Sequence, residues 1–347
     1  MRIAYLLPLP ELNGGNKVIF QHIELLRAHG AEVTVLCEGP KPDWIDSGAT
    51  YVDYAAAPPK VASQDLVIAT YWTTLRTARG FALGPLAHFC QGYEGGLIHL
   101  RPVLREIEEV YSWQLPTLTV TPHLGGLLRD RFGRESRVVS PPLDPLFRPG
   151  WRLGPRRRPW IAIPGIFEAE VKGIATALEA VRRLRQGGIP CRVLRFSILP
   201  LSEEERVLLE PDRYLCGVPP RVIAEALRAC DLLFLPSRAE EGFGLPLLEA
   251  MASKIPAVAS RIPSTVYITE GAVPLVPPGE AAAFAEAARE LLSSRSAWRR
   301  ARESGYEASR RFLPEAVAPK LYEAVRWARE WSRDPVPAAP LPMEIKP

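Results

Sequence analysis

A chain of 347 residues that is 47% hydrophobic, 24% charged and 8% aromatic has the make-up of a folded globular protein, not of a disordered or fibrous one. Its formal charge of +4, from 43 Lys and Arg against 39 Asp and Glu, is too mild for the basic stripe of a nucleic-acid binder. Five widely spaced cysteines without a Cys-x-x-Cys pair argue against a disulfide framework or a cysteine-held metal.

The length exceeds the ~100–200 residues of one typical domain, so two domains are expected. The opening run Met1 to Pro8 is too short for a secretory leader and breaks at proline. No apolar run is long enough to cross a bilayer. The chain reads as cytoplasmic, with peripheral contact at the inner face of a membrane left open.

In chain order, short apolar runs alternate with amphipathic stretches, the pattern of βα units around a parallel sheet. A first strand is predicted at 3–7, then a turn carrying Gly14 and Gly15, a helix at 18–29 and a strand at 32–37. Further strands follow at 49–54, 66–71, 86–90, 118–121 and 138–139, with helices at 101–113 and 123–132.

The texture then changes. Pro141, Pro142, Pro145, Pro149, Pro155 and Pro159 punctuate a non-periodic stretch that can be neither a central strand nor a helix. The alternation restarts with a strand at 160–163, a helix at 173–186, and strands at 192–197, 213–216, 232–235, 257–260 and 273–276. The expected domains are 1–150 and 151–312. A helix at 313–333 that crosses back to the first domain and a disordered tail at 334–347 complete the expectation.

Chemistry concentrates in the segment from Leu232 to Ala252. It reads as a buried strand, a loop carrying Glu241, Gly242, Phe243 and Gly244, and a helix that opens with Leu245 and Pro246 and carries Glu249. Unpaired N–H groups at a helix start favour an anion, and the two glycines let a ligand approach the backbone. Open α/β sheets bind ligands outside the carboxyl ends of their strands. Two carboxylates there suit a ligand with hydroxyls on both sides of a diphosphate, as in a nucleotide-sugar.

This segment resembles the signature of retaining GT-B-fold glycosyltransferases of the family 4 type, the glycosyl transferases group 1. The shared pattern is a Glu-x7-Glu pair around Gly-Phe-Gly-Leu-Pro. The resemblance implies a GT-B architecture, two Rossmann-like doubly wound parallel-sheet domains facing a central cleft. It also implies that Glu249 bonds the ribose hydroxyls, that Glu241 contacts the transferred sugar, and that N–H groups near Gly244 and Leu245 meet sugar and phosphate. Lys172, before Gly173, matches the family's diphosphate-gripping lysine, with Gly165 at the start of the same loop. Where the family has an arginine after that glycine, this chain has Ile166.

In the first half, Asn13-Gly14-Gly15-Asn16 matches a loop that brings N–H groups against the donor phosphate in that family. The segments around Tyr71-Trp72 and Gln91-Gly92-Tyr93-Glu94 are similar to a subgroup of bacterial rhamnosyltransferase-like enzymes. Gln91, Tyr93 and Glu94 are the acceptor-side candidates, and Gln91 stands where many family members place a catalytic histidine, so His88 and His99 are read as ordinary histidines.

The expected activity is transfer of a sugar from a nucleotide-diphosphate sugar to a glycan or small-molecule acceptor, with retention, in polysaccharide or cell-envelope synthesis. Lys172, Glu241 and Gln91 are its catalytic candidates. No metal or other cofactor is expected, since no Asp-x-Asp or His cluster supplies a cation site. The alternative is a GT-B-fold protein that binds nucleotide-sugar with catalysis impaired. A nicotinamide dehydrogenase would need a Gly-x-Gly-x-x-Gly turn that the Asn-Gly-Gly-Asn run does not supply. Base, sugar, acceptor and oligomeric state are not legible.

Overall fold

The computed structural model describes residues 1–55 and 57–331; the expected tail at 334–347 lies outside them. The chain divides into two compact units, one formed by residues 1–140 with the segment from Ala318 onward, the other by residues 141–317.

The first unit runs β1 (Arg2–Leu6), α1 (Gly14–Ala28), β2 (Glu32–Cys37), β3 (Thr50–Asp53), β4 (Leu66–Ala69), α2 (Trp72–Phe81), β5 (Leu86–Cys90), α3 (Leu104–Ser112), β6 (Thr117–Thr119), α4 (Pro122–Phe132) and β7 (Ser136–Val138). The seven strands pair in parallel in the order β3-β2-β1-β4-β5-β6-β7. β1 sits at the reversal of strand order, with Ile3 opposite both Val33 and Leu66. β4 is buried throughout and β1 from Ile3 onward, as expected where helices cover both faces of a parallel sheet.

Two local features differ from the sequence expectation. Helix α1 begins at Gly14, so the two glycines form its first turn, because Asn13 Oδ1 accepts the N–H of Asn16 at 2.8 Å and caps it there. Helix α2 was not anticipated, since Tyr71-Trp72-Thr73-Thr74 has strand-like composition. Thr74 Oγ1 accepts the N–H groups of both Thr70 and Tyr71 at 3.0 Å, which starts a helix despite that composition.

The second unit runs β8 (Trp160–Pro164), α5 (Ile174–Gln186), β9 (Arg192–Ser197), α6 (Glu203–Leu208), β10 (Arg213–Cys216), α7 (Pro220–Arg228), β11 (Leu232–Leu235), α8 (Leu245–Ala252), β12 (Ala257–Ser260), α9 (Pro263–Thr269), β13 (Leu275–Val276), α10 (Ala281–Ser293) and α11 (Arg295–Ser309). Its six strands are again parallel, in the order β10-β9-β8-β11-β12-β13. Ile161, Ile163, Val181, Phe234, Val258 and Phe284 lie in one core between this sheet and its helices.

The proline-rich stretch from residue 141 belongs with the second unit because its backbone is tied there. Leu143 N–H bonds Phe312 O at 2.6 Å, and Gly150 N–H bonds Ser253 O at 3.1 Å. Helix α12 (Pro314–Trp331) supplies the last described part of the first unit. There Tyr322 stacks on His29 at 5.9 Å, Arg137 lies over the Trp327 ring at 5.3 Å, and Arg329 reaches Asp65 at 3.6 Å.

Candidate active site

In each unit the loops at the reversal of strand order lie where doubly wound sheets bind ligands. In the second unit these are the loop after β8, residues 165–173, and the loop after β11, residues 236–244. Gly173 determines how close they come. It adopts the left-handed conformation at φ +60°, and a Cβ there would stand 2.1 Å from the Pro236 carbonyl oxygen. Only glycine permits this approach.

The loops are then stitched together. Arg238 N–H bonds Val171 O at 2.8 Å, and the Arg238 guanidinium pairs with Glu170. Lys172 Nζ donates to Glu241 Oε2 at 2.7 Å, and Ser237 Oγ donates to the same oxygen at 3.0 Å. Lys172 keeps 34% of its side chain exposed and Glu241 11%, so the pair sits at the rim, not in the core.

Gly165, at φ +121°, lets the Lys172 stem lie against it: a Cβ there would be 3.3 Å from Lys172 Cγ. Its carbonyl is fixed from below by Arg195, a fully buried arginine on β9. The guanidinium donates to Ile163 O at 2.5 Å and Gly165 O at 2.9 Å, and pairs with buried Glu205.

Gly244, at φ +101°, precedes α8, and no side chain caps that helix. The first N–H groups of a helix have no intrahelical acceptor, so this start is a polar end suited to an anion. Pro246 lies in the first turn, and Glu249 is buried with 9% exposure. Phe243 turns its ring inward onto Phe312, at 5.6 Å between centroids, so this position offers a ligand its backbone. Gly242 and Leu245 flank it, half-buried.

In the first unit, Gly14 is exposed and Gly15 half-buried at the start of α1. Asn16 holds the preceding loop by donating to Leu9 O and Glu11 O, each at 2.7 Å. Gln91, after β5, donates to Gly15 O at 3.3 Å, so the structure brings these two predicted residues together.

Tyr93 and Glu94 point the other way. Tyr93 is buried against Tyr111 and Phe132, and Glu94 accepts from Tyr111 and from the Trp72 N–H. Burial pushes the Glu94 carboxyl up to about 7, more than its hydrogen bonds hold it down. His88 is fully buried with Nδ1 3.0 Å from Arg134 Nη1, and burial, with the charge of Arg134, lowers its pKa well below the usual range. His99 is exposed.

Sequence reasoning missed Ser237, Arg238 and Arg195. An arginine inside the otherwise apolar strand Val193–Leu194–Arg195–Phe196 was the readable sign that β9 carries a buried, partnered cation. Among the described residues, no group of three or more His, Cys, Asp or Glu side chains is placed to hold a metal ion. No described helix is long and apolar enough to cross a membrane.

Comparison with known proteins bears on this arrangement. Residues 158–294 match the family model for glycosyl transferases group 1. A phosphatidyl-myo-inositol mannosyltransferase of Mycobacterium leprae is 31% identical over 182 residues, covering 49% of this chain and 48% of that protein. The match therefore spans about half of that relative's length. Among solved structures, sucrose-phosphate synthase from Thermosynechococcus elongatus superposes with a TM-score of 0.76 at 19% identity, over 94% of this chain and 98% of that one. HepE of Anabaena, solved with UDP-glucose, superposes with a TM-score of 0.74 at 16% identity, over 94% and 100%. Residues 158–294 thus match the glycosyl transferases group 1 model, within a chain whose two parallel-sheet units have the fold of GT-B glycosyltransferases.

Proposed function

We propose that this chain is a glycosyltransferase that moves a sugar, a hexose type, from a nucleotide-diphosphate sugar to an acceptor hydroxyl with retention of configuration. The reading rests on the Lys172–Glu241 pair, whose glutamate lies on the loop that leads into α8, a helix start without a side-chain cap. The bond from the anomeric carbon to the diphosphate breaks while the acceptor oxygen bonds to the same face of that carbon. Negative charge builds on the leaving diphosphate, and the acceptor's proton passes to one of its oxygens. A fixed ammonium and oriented N–H groups stabilise that charge without reorganising, the largest single contribution in many such reactions. In this reading Lys172, with the α8 start, takes the diphosphate with no resident metal, Glu241 the transferred sugar and Glu249 the ribose.

Ile166 stands where the resemblance has a second cation, and Arg238 on the adjoining loop is the guanidinium assigned to that task. In the first unit Gln91, beside Gly15, is assigned to the acceptor side. The phosphatidyl-myo-inositol mannosyltransferase relative favours a lipid-linked acceptor.

The experiment is calorimetric binding and slow hydrolysis with a panel of UDP-, GDP- and dTDP-sugars, on the wild type and on Lys172→Ala, Glu241→Ala and Arg238→Ala. One donor should bind, and each substitution should weaken it. Folded protein that ignores the whole panel defeats the reading. The missing arginine favours a second reading, a binding protein without turnover; a donor that binds but is neither hydrolysed nor transferred to any acceptor would establish it.

A further inference from the structure

Residues 148–158, Arg-Pro-Gly-Trp-Arg-Leu-Gly-Pro-Arg-Arg-Arg, hold five arginines and no acidic residue. This stretch is not a loose linker. Arg302 donates to Gly150 O at 2.6 Å and also to Arg152 O. Arg295 Nε donates to Leu153 O at 2.6 Å. Arg152 and Arg156 both pair with the fully buried Asp231, at 2.7 and 2.9 Å. The strap is therefore pinned at Gly150, Arg152, Leu153 and Arg156. Two apolar side chains on it are nonetheless left in solvent.

The two are Trp151, 97% exposed, and Leu153, 63% exposed. In the same stretch Arg148, Arg157 and Arg158 are exposed, and so is Arg295, which is bonded to Leu153 O. A single exposed apolar residue is ordinary. An indole and a leucine held out on a pinned strap, in a stretch whose charged residues are all arginines, is a different arrangement. The indole favours the water–hydrocarbon boundary of a bilayer, and the arginines favour the negative surface of anionic lipids.

We propose that this strap docks the second unit onto an anionic phospholipid surface, Trp151 and Leu153 entering the headgroup boundary and Arg148, Arg157 and Arg158 meeting lipid phosphates. A bilayer is favoured over a folded protein partner because two apolar side chains stand in solvent in a stretch with charge of one sign only. The proposal does not depend on the transferase reading.

The test is co-sedimentation of the full chain with vesicles of phosphatidylcholine alone and of phosphatidylcholine with roughly one-third phosphatidylglycerol. Binding is expected only to the anionic vesicles, and it should fall as salt is raised. Trp151→Ala with Leu153→Ala should weaken it by about tenfold or more, with thermal stability unchanged, since neither side chain is packed. Arg157→Glu with Arg158→Glu should abolish it. Absence of binding to the anionic vesicles overturns the proposal. So does binding that the double alanine variant retains in full, or binding to an acidic polysaccharide but not to vesicles.

Discussion

Lys172 Nζ lies 2.7 Å from Glu241 Oε2, although the two residues are separated by 69 positions and sit on different loops. The approach is made by backbone, not by the charges. Gly173 packs on the Pro236 carbonyl and Val171 O receives the Arg238 N–H, so the ion pair forms between groups already delivered to each other. A partly exposed pair contributes little to stability. What the pair does is tie the loop after β8 to the loop that leads into α8.

Lys172→Ala should therefore separate binding from folding. The melting temperature should change little, while donor affinity drops by roughly ten- to a hundredfold, the range for losing one hydrogen bond to a charged group. Calorimetry and a thermal melt on the same sample check both. A large loss of stability with donor affinity intact would contradict the assignment.

Gly173→Ala should be the more damaging change. The left-handed conformation disfavours any Cβ by about 1–2 kcal/mol. The added carbon would also meet a backbone oxygen, which cannot rotate aside. Together these should lower unfolding stability by ~2 kcal/mol or more, read from the denaturant midpoint, and should weaken donor binding by pushing the two loops apart. A variant as stable as the wild type would mean that the loops yield freely.

These loops also show what the sequence could and could not disclose. Strand and helix alternation was readable because buried parallel strands such as Leu232–Leu235 are uninterrupted apolar runs. The helix start beside Glu241 was readable because glycine and proline are position-specific. The partner of Lys172 was not, because a pairing across 69 residues depends on which loops share the reversal of strand order. Nor was the inward turn of Tyr93 and Glu94, since Tyr111 and Arg134, which receive them or lie beside them, come from α3 and the end of α4. Helix α2 was hidden by threonines whose hydroxyls act on the backbone, an effect that composition does not register.

Asp231 anchors the strap at residues 150–156. Fully buried, it accepts from Arg152, Arg156, the Arg156 N–H and the Trp160 N–H. Asp231→Ala takes an acceptor from two N–H groups and from two guanidinium groups, which keep Ala229 O. The expected loss is about 1–3 kcal/mol, since the N–H groups lose their acceptor while both arginines are only partly buried. Urea unfolding measures it, and a loss below ~1 kcal/mol would show that the arginines find water instead.

Glu94 predicts a pH dependence with a definite sign. Its carboxyl is raised to about 7 in the folded chain, first by burial, against about 4.3 in an unfolded one. The folded state binds the proton more tightly, so the contribution of Glu94 to stability is fully present below pH ~4 and is lost as pH rises through about 7. Glu94→Gln cannot titrate. Relative to the wild type, the variant should thus gain stability between pH 5 and 8, by up to an amount on the order of 3 kcal/mol. His22, which burial holds down to about 3, acts in the opposite direction, its contribution being lost as pH falls below ~6.5. It is present in both proteins and cancels in the difference. Chemical denaturation of the pair at several pH values gives that difference directly, and a flat line would mean that Glu94 is charged in the folded protein at every pH tested.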